Sequence, residues 1–112
     1  MIHVTLGRGG GQCRIAMTGH AGHGPPGADI VCAGASSLVQ ALHGYLKNNQ
    51  DVRVYEAERT AGFASYRFED NGQSGPAYDL VRIGLLQIQK SYPDCLKVVW
   101  EQEERPPLSQ LR

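Results

Sequence analysis

The ten residues from Gly19 to Ala28 include four glycines and two prolines, and no other segment constrains the fold so strongly. Glycine spreads over backbone angles that other residues avoid, and proline lacks the N–H that helices and ladders use. The stretch therefore resists both helix and strand and reads as a mobile loop. Upstream, Met1 to Thr5 alternates Ile2 and Val4 with polar neighbours, and Cys13 to Thr18 alternates Ile15 and Met17. Between them Gly7-Arg8-Gly9-Gly10-Gly11 supplies the positive φ angles of a tight connection, which predicts a hairpin.

Downstream the period changes. Asp29 precedes an apolar run as an N-cap would, and Val31, Ala35, Leu38, Leu42 and Tyr45 repeat at helical spacing, predicting one buried stripe. The small residues Ala33, Gly34, Ser36 and Ser37 on that helix allow a backbone or a ligand to come close. Asn48, Asn49 and Gln50 end it. Val52 to Ala57 and Phe63 to Glu69 read as strands joined through Gly62. Pro76 suits a first helical turn, after which Tyr78, Val81, Leu85, Ile88 and Tyr92 define a second amphipathic helix that Pro93 stops. Leu96 to Glu101 reads as a last strand, and Arg105 to Arg112 as a frayed polar tail. The order β-β-α-β-β-α-β predicts an α+β domain spanning residues 1–112, with two helices on one face of a mixed or antiparallel sheet of about five strands.

Composition narrows the function classes. Eleven basic residues balance eleven acidic ones, which argues against the cationic face that phosphate backbones require, so no direct nucleic-acid partner is expected. No run approaches the roughly 20 apolar residues of a membrane span, and Met1 to Gly11 lacks the apolar centre of a signal peptide. Three cysteines, an odd and sparse set, fit a reducing, cytoplasmic setting better than a disulfide framework.

The candidate chemistry lies around the glycine loop. Cys32 falls just after the Asp29 cap, where free backbone N–H groups favour an anion. An ordinary thiol with a pKa near 8.5 is only about 3% ionised at pH 7, so a nucleophilic cysteine needs such help. The competing reading is an inert core residue, since Ile30-Val31-Cys32-Ala33 also looks like a buried helix. His20 opens the loop and Cys32 closes it, so short-loop closure can bring imidazole to sulfur; a lone loop histidine is otherwise a surface residue. Asp29 can act as a cap or orient His20. Ser36, one turn after Cys32, can face the same side or simply bond back to its own helix. Zinc ligation by His20, His23, Asp29 and Cys32 matches no familiar ligand spacing, and no metal or cofactor is expected. His43 reads as a helix-surface residue, and Cys13 and Cys95 show no reactive setting.

Gly19-His20-Ala21-Gly22, followed by Gly27, Asp29-Ile30-Val31-Cys32-Ala33 and Ser36, resembles the signature of the ribosomal-processing cysteine protease (Prp) family. The resemblance implies a cytosolic endopeptidase, typically a homodimer, that removes the N-terminal extension of a large-subunit ribosomal protein by cutting after an aromatic residue. By motif, Cys32 would be the nucleophile and His20 its base, with Asp29 and Ser36 in support. The segment Ala21, Gly22, His23, Gly24, Pro25, Pro26, Gly27 and Ala28 would form the flexible loop over the substrate. Its Pro25-Pro26 pair departs from the family pattern and bears on substrate preference. The alternative from a different class is a non-catalytic, ribosome-associated module whose loop binds a protein partner.

Overall fold

The computed structural model describes residues 1–19 and 28–101. Within them lie five strands and two helices: β1 (Ile2–Gly9), β2 (Gln12–Thr18), α1 (Ala28–Asn48), β3 (Val54–Thr60), β4 (Phe63–Glu69), α2 (Ser74–Ser91) and β5 (Leu96–Trp100). The strands form one mixed sheet in the order β3-β4-β2-β1-β5. All neighbours are antiparallel except β1 and β5, which run parallel with Ile2 opposite Leu96. The expected α+β class and element order stand. The predicted tail at Arg105 to Arg112 and most of the predicted loop, residues 20–27, lie outside the described residues.

The period-2 pattern of each strand selects one face for the core. Ile2, Val4 and Leu6 of β1, Cys13 and Ile15 of β2, Ala64, Tyr66 and Phe68 of β4, and Leu96 of β5 are buried on that face. Both helices lie against it. α1 contributes Val31, Ala35, Val39, Leu42 and Leu46, and α2 contributes Tyr78, Val81 and Leu85. The buried stripe of α1 therefore differs at its C-terminal end from the sequence reading. Tyr45 is exposed and donates its hydroxyl to the Gln73 carbonyl, while Val39 and Leu46 take the interior. Tyr92 is likewise exposed, standing at the C-cap of α2. A tyrosine at a stripe's edge keeps its hydroxyl wet and leaves the centre to aliphatic residues.

The β1–β2 hairpin is longer than its polar residues suggest. The ladder continues through Gly7, Arg8 and Gly9, and the turn shrinks to Gly10 and Gly11, with φ of 62° and 76°. Two successive positive φ values match the twist of the flanking strands, and glycine reaches them at least cost. Across the core, Tyr78 places its hydroxyl 2.9 Å from the Gly7 carbonyl and 3.0 Å from that of Arg14, tying α2 to this hairpin. Arg8 bonds Asp70 at 2.9 Å and Asp79 at 2.8 Å, which fastens the same hairpin to the start of α2.

The two helices meet through their smallest residues. A Cβ on Gly84 would crowd Leu38, and one on Gly34 would touch Ile88. The small-residue run of α1 thus serves partly for close approach to α2. α1 covers the middle of the sheet and stops short of its edge, so every residue of β3 is exposed. That uncovered inner edge beside α1 is where the site lies.

Candidate active site

The helix carrying Cys32 begins one residue earlier than the composition of the loop suggests. Ala28, read as loop, is its first helical residue, and Asp29 sits within the first turn instead of capping it. Alanine is the strongest helix former and extends the helix upstream, while the Asp29 carboxylate still lies at the favourable end of the helix dipole. Cys32 is then the fifth residue, counting Ala28 as the first. Its Cα–Cβ bond tilts toward the helix N-terminus, whose first-turn N–H groups have no partners within the helix.

Cys32 is half-buried, whereas Cys13 and Cys95 are buried. It opens on a cavity of about 230 Å³ between α1 and the β3–β4 hairpin. Cys32, Ser36 and Gln40 form the helical wall, one turn apart on one face. Arg59 and Thr60 form the opposite wall, and Phe63 and Ala64 lie on the β4 side. The sequence reading placed Ser36 toward Cys32, and both line this cavity. Arg59 and Phe63 were missed because only the fold brings the β3–β4 hairpin beside α1, whereas Gln40, one turn beyond Ser36, was within reach of the helical spacing and was overlooked.

Gly19 lines the same cavity. It has φ of 106°, its N–H bonds the Gly62 carbonyl at 3.0 Å, and a Cβ there would overlap the Met1 carbonyl oxygen. Only glycine fits this junction, where the chain leaves β2. Cys32 and the residue immediately before His20 therefore border one space. His20 itself, the loop residues Ala21, Gly22, His23, Gly24, Pro25, Pro26 and Gly27, and with them the zinc alternative, lie outside the described residues.

Other groups of note do not line the Cys32 cavity. His43, read as a surface residue, is half-buried with Nδ1 3.0 Å from the Tyr66 hydroxyl and the two rings edge to face. Burial pushes the Cys13 thiol up to about 12, and the neighbouring Asp70 charge adds to this. The Arg8 hydrogen bond holds the Asp70 carboxyl below the usual carboxylate range. No helix among the described residues is long and apolar enough to cross a membrane.

A sheet backed by two helices, with a half-buried cysteine near a helix start facing an open cleft, is an arrangement suited to thiol chemistry on an extended chain. Comparison with known proteins agrees. Residues 1–97 match the family model for the cysteine protease Prp. Ribosomal processing cysteine protease Prp of Staphylococcus aureus is 38% identical over 103 residues, covering 87% of this chain and 94% of the relative. The crystal structure of that organism's Prp with a covalently linked product peptide superposes with a TM-score of 0.75 at 25% identity, over 90% of this chain and all of the other. A Streptococcus mutans protein shares the fold, with a TM-score of 0.70 at 24% identity over 89% and 93% of the two chains. The chain belongs to the Prp family of cysteine proteases.

Proposed function

We propose that this protease removes the N-terminal extension of a large-subunit ribosomal protein, with Cys32 as nucleophile and His20 as its proton partner. One observation carries the residue assignment: Gly19, whose next residue is His20, lines the same cavity as Cys32 and Ser36. The relatives support the substrate class, since the S. aureus relative is named a ribosomal processing protease and its structure holds a linked product peptide.

In this reading the Cys32 proton passes to the His20 imidazole, and the sulfur attacks the carbonyl carbon of the scissile peptide bond. The C–N bond breaks as the imidazolium protonates the leaving amine, leaving a thioester. Water, deprotonated by His20, attacks that thioester, and the returning proton restores the thiol. Asp29, in the first turn of α1, helps to orient the imidazole, and Ser36 hydrogen-bonds substrate or sulfur from one turn below. Residues Ala21 to Gly27 close over the peptide. The enzyme acts in the cytoplasm as a homodimer.

The test is incubation of the purified full chain with the extended ribosomal protein of its own organism, read by mass spectrometry. A single shortened product is expected, and Cys32→Ala and His20→Ala should each abolish it while retaining the native circular dichroism spectrum. Normal cleavage by Cys32→Ala overturns the nucleophile. Tight binding without cleavage by the unaltered chain overturns the substrate assignment.

A further inference from the structure

The residues of α1 that line the Cys32 cavity end at Gln40. A second cavity of about 360 Å³ opens further along the same helix, lined by His43, Leu46 and Lys47 of α1, Val54 and Ala57 of β3, and Tyr66 of β4. The two cavities are adjacent by sheet geometry. Arg59 pairs with Ala64 beside the first, and Ala57 pairs with Tyr66, the next pair on the same face, beside the second. On the helix, Cys32, Ser36, Gln40, His43 and Lys47 follow one another at intervals of four, four, three and four, a single stripe facing the uncovered β3.

We propose that this stripe is a continuous track for the substrate peptide and that the second cavity is a specificity subsite for an apolar side chain several residues from the scissile bond. The proposal rests on the protease reading above and names what that site selects. From Cys32 to His43 is eleven residues, or about 16 Å along the helix axis. An extended peptide covers that span in about five residues at roughly 3.3 Å each. The side chain four to six positions from the cut therefore reaches the second cavity.

The cavity's chemistry selects its occupant. The His43–Tyr66 pair presents ring surface held by the 3.0 Å hydrogen bond, and Leu46, Val54 and Ala57 supply aliphatic surface. No carboxylate lines either cavity among the described residues, while Arg59 stands beside the first and Lys47 beside the second. An aromatic or branched aliphatic side chain is accepted there, and a lysine is rejected because no described lining residue pairs its charge. Adjacency to the nucleophile's cleft, one same-face strand pair away, makes the substrate the occupant.

The test uses the full-length protein and a fluorogenic peptide spanning the cleavage site of the extended ribosomal protein, with each residue within seven of the cut replaced in turn by serine. One apolar position four to six residues from the cut should cost about tenfold or more in kcat/KM on replacement by serine, and more by lysine. Ala57→Phe, on an exposed edge strand, should fill the subsite. It should slow the parent peptide by about the same factor, mainly through KM, and erase the difference between parent and serine peptides. Its rate of Cys32 alkylation by iodoacetamide should match the wild type, which excludes a folding defect. Retained discrimination in Ala57→Phe, or indifference at every position four to six residues away, overturns the subsite. If the wild type cleaves none of these peptides, the substrate reading fails first and the subsite with it.

Discussion

Replacing Gly19 by alanine should damage the fold and the site together, and the two losses can be separated. The residue has φ of 106°, a region where an L side chain is strained by about 1–2 kcal/mol. Its new Cβ would also overlap the Met1 carbonyl oxygen, a backbone atom held at the start of β1 that cannot swing away as a side-chain tip would. Relieving this means shifting the end of β2 or parting the Gly19–Gly62 hydrogen bond, worth about 1 kcal/mol. Together these give a destabilisation of about 2–4 kcal/mol, or a fall in Tm of about 8–16 °C for a chain of this size. Gly10→Ala is the control: its φ of 62° is also positive, but a Cβ there meets nothing within 4 Å, so it should cost only about 1 kcal/mol. Urea melts measure both. Peptide cleavage well below either midpoint should then show Gly19→Ala slower by about tenfold or more, with Gly10→Ala near wild type, because only Gly19 borders the Cys32 cavity. Equal destabilisation by the two substitutions, within about 0.5 kcal/mol, would refute the steric argument.

Two further outcomes follow from the groups buried in the hairpin and against it. Cys13 titrates near 9.0 when unfolded but is pushed up to about 12 when folded, so the folded state holds its proton longer. Its contribution is intact below pH 9 and is lost as pH rises from 9 towards 12, at up to about 1.4 kcal/mol per unit. Urea midpoints measured across that range should fall, and Cys13→Ala should flatten the fall; an unchanged slope would remove Cys13 as its source. Tyr78→Phe withdraws the hydroxyl that faces the Gly7 and Arg14 carbonyls inside the core, and should cost about 1–3 kcal/mol by denaturant melt with Cys32 alkylation unaffected.

Element order was legible from the sequence because each segment carries a distinct period and glycine or proline marks each change. Boundaries were less so. Nothing local in Leu6 to Gly9 announces that β1 continues, since Gly7 is kept in the ladder by its pairing with Arg14 of β2. The start of α1 was displaced by one residue because Asp29 looks like a cap, while Ala28 prefers to be helical. At the site, Cys32 and Ser36 could be read together because they share one helix, and Gly19 because it stands in the motif, while His20 lies outside the described residues. Arg59, Phe63 and the whole second cavity depend on the β3–β4 hairpin lying beside α1, a relation between segments that no local pattern encodes. The small-residue run of α1 was ambiguous in principle: Gly34 serves helix packing and Ser36 the cleft, and which did which required the rotation of the helix on the sheet.

The parallel pairing of β1 with β5 has a consequence for how this molecule comes into being. The hairpins β1–β2 and β3–β4 join neighbours in the chain and can form locally, but Ile2 meets Leu96 only after more than ninety intervening residues are in place. Contacts of that sequence separation carry the largest loop-closure entropy and set the slow step of assembly. Until β5 docks, one side of β1 lies open, so the final strand acts as the clasp that converts a set of early hairpins into a working protease.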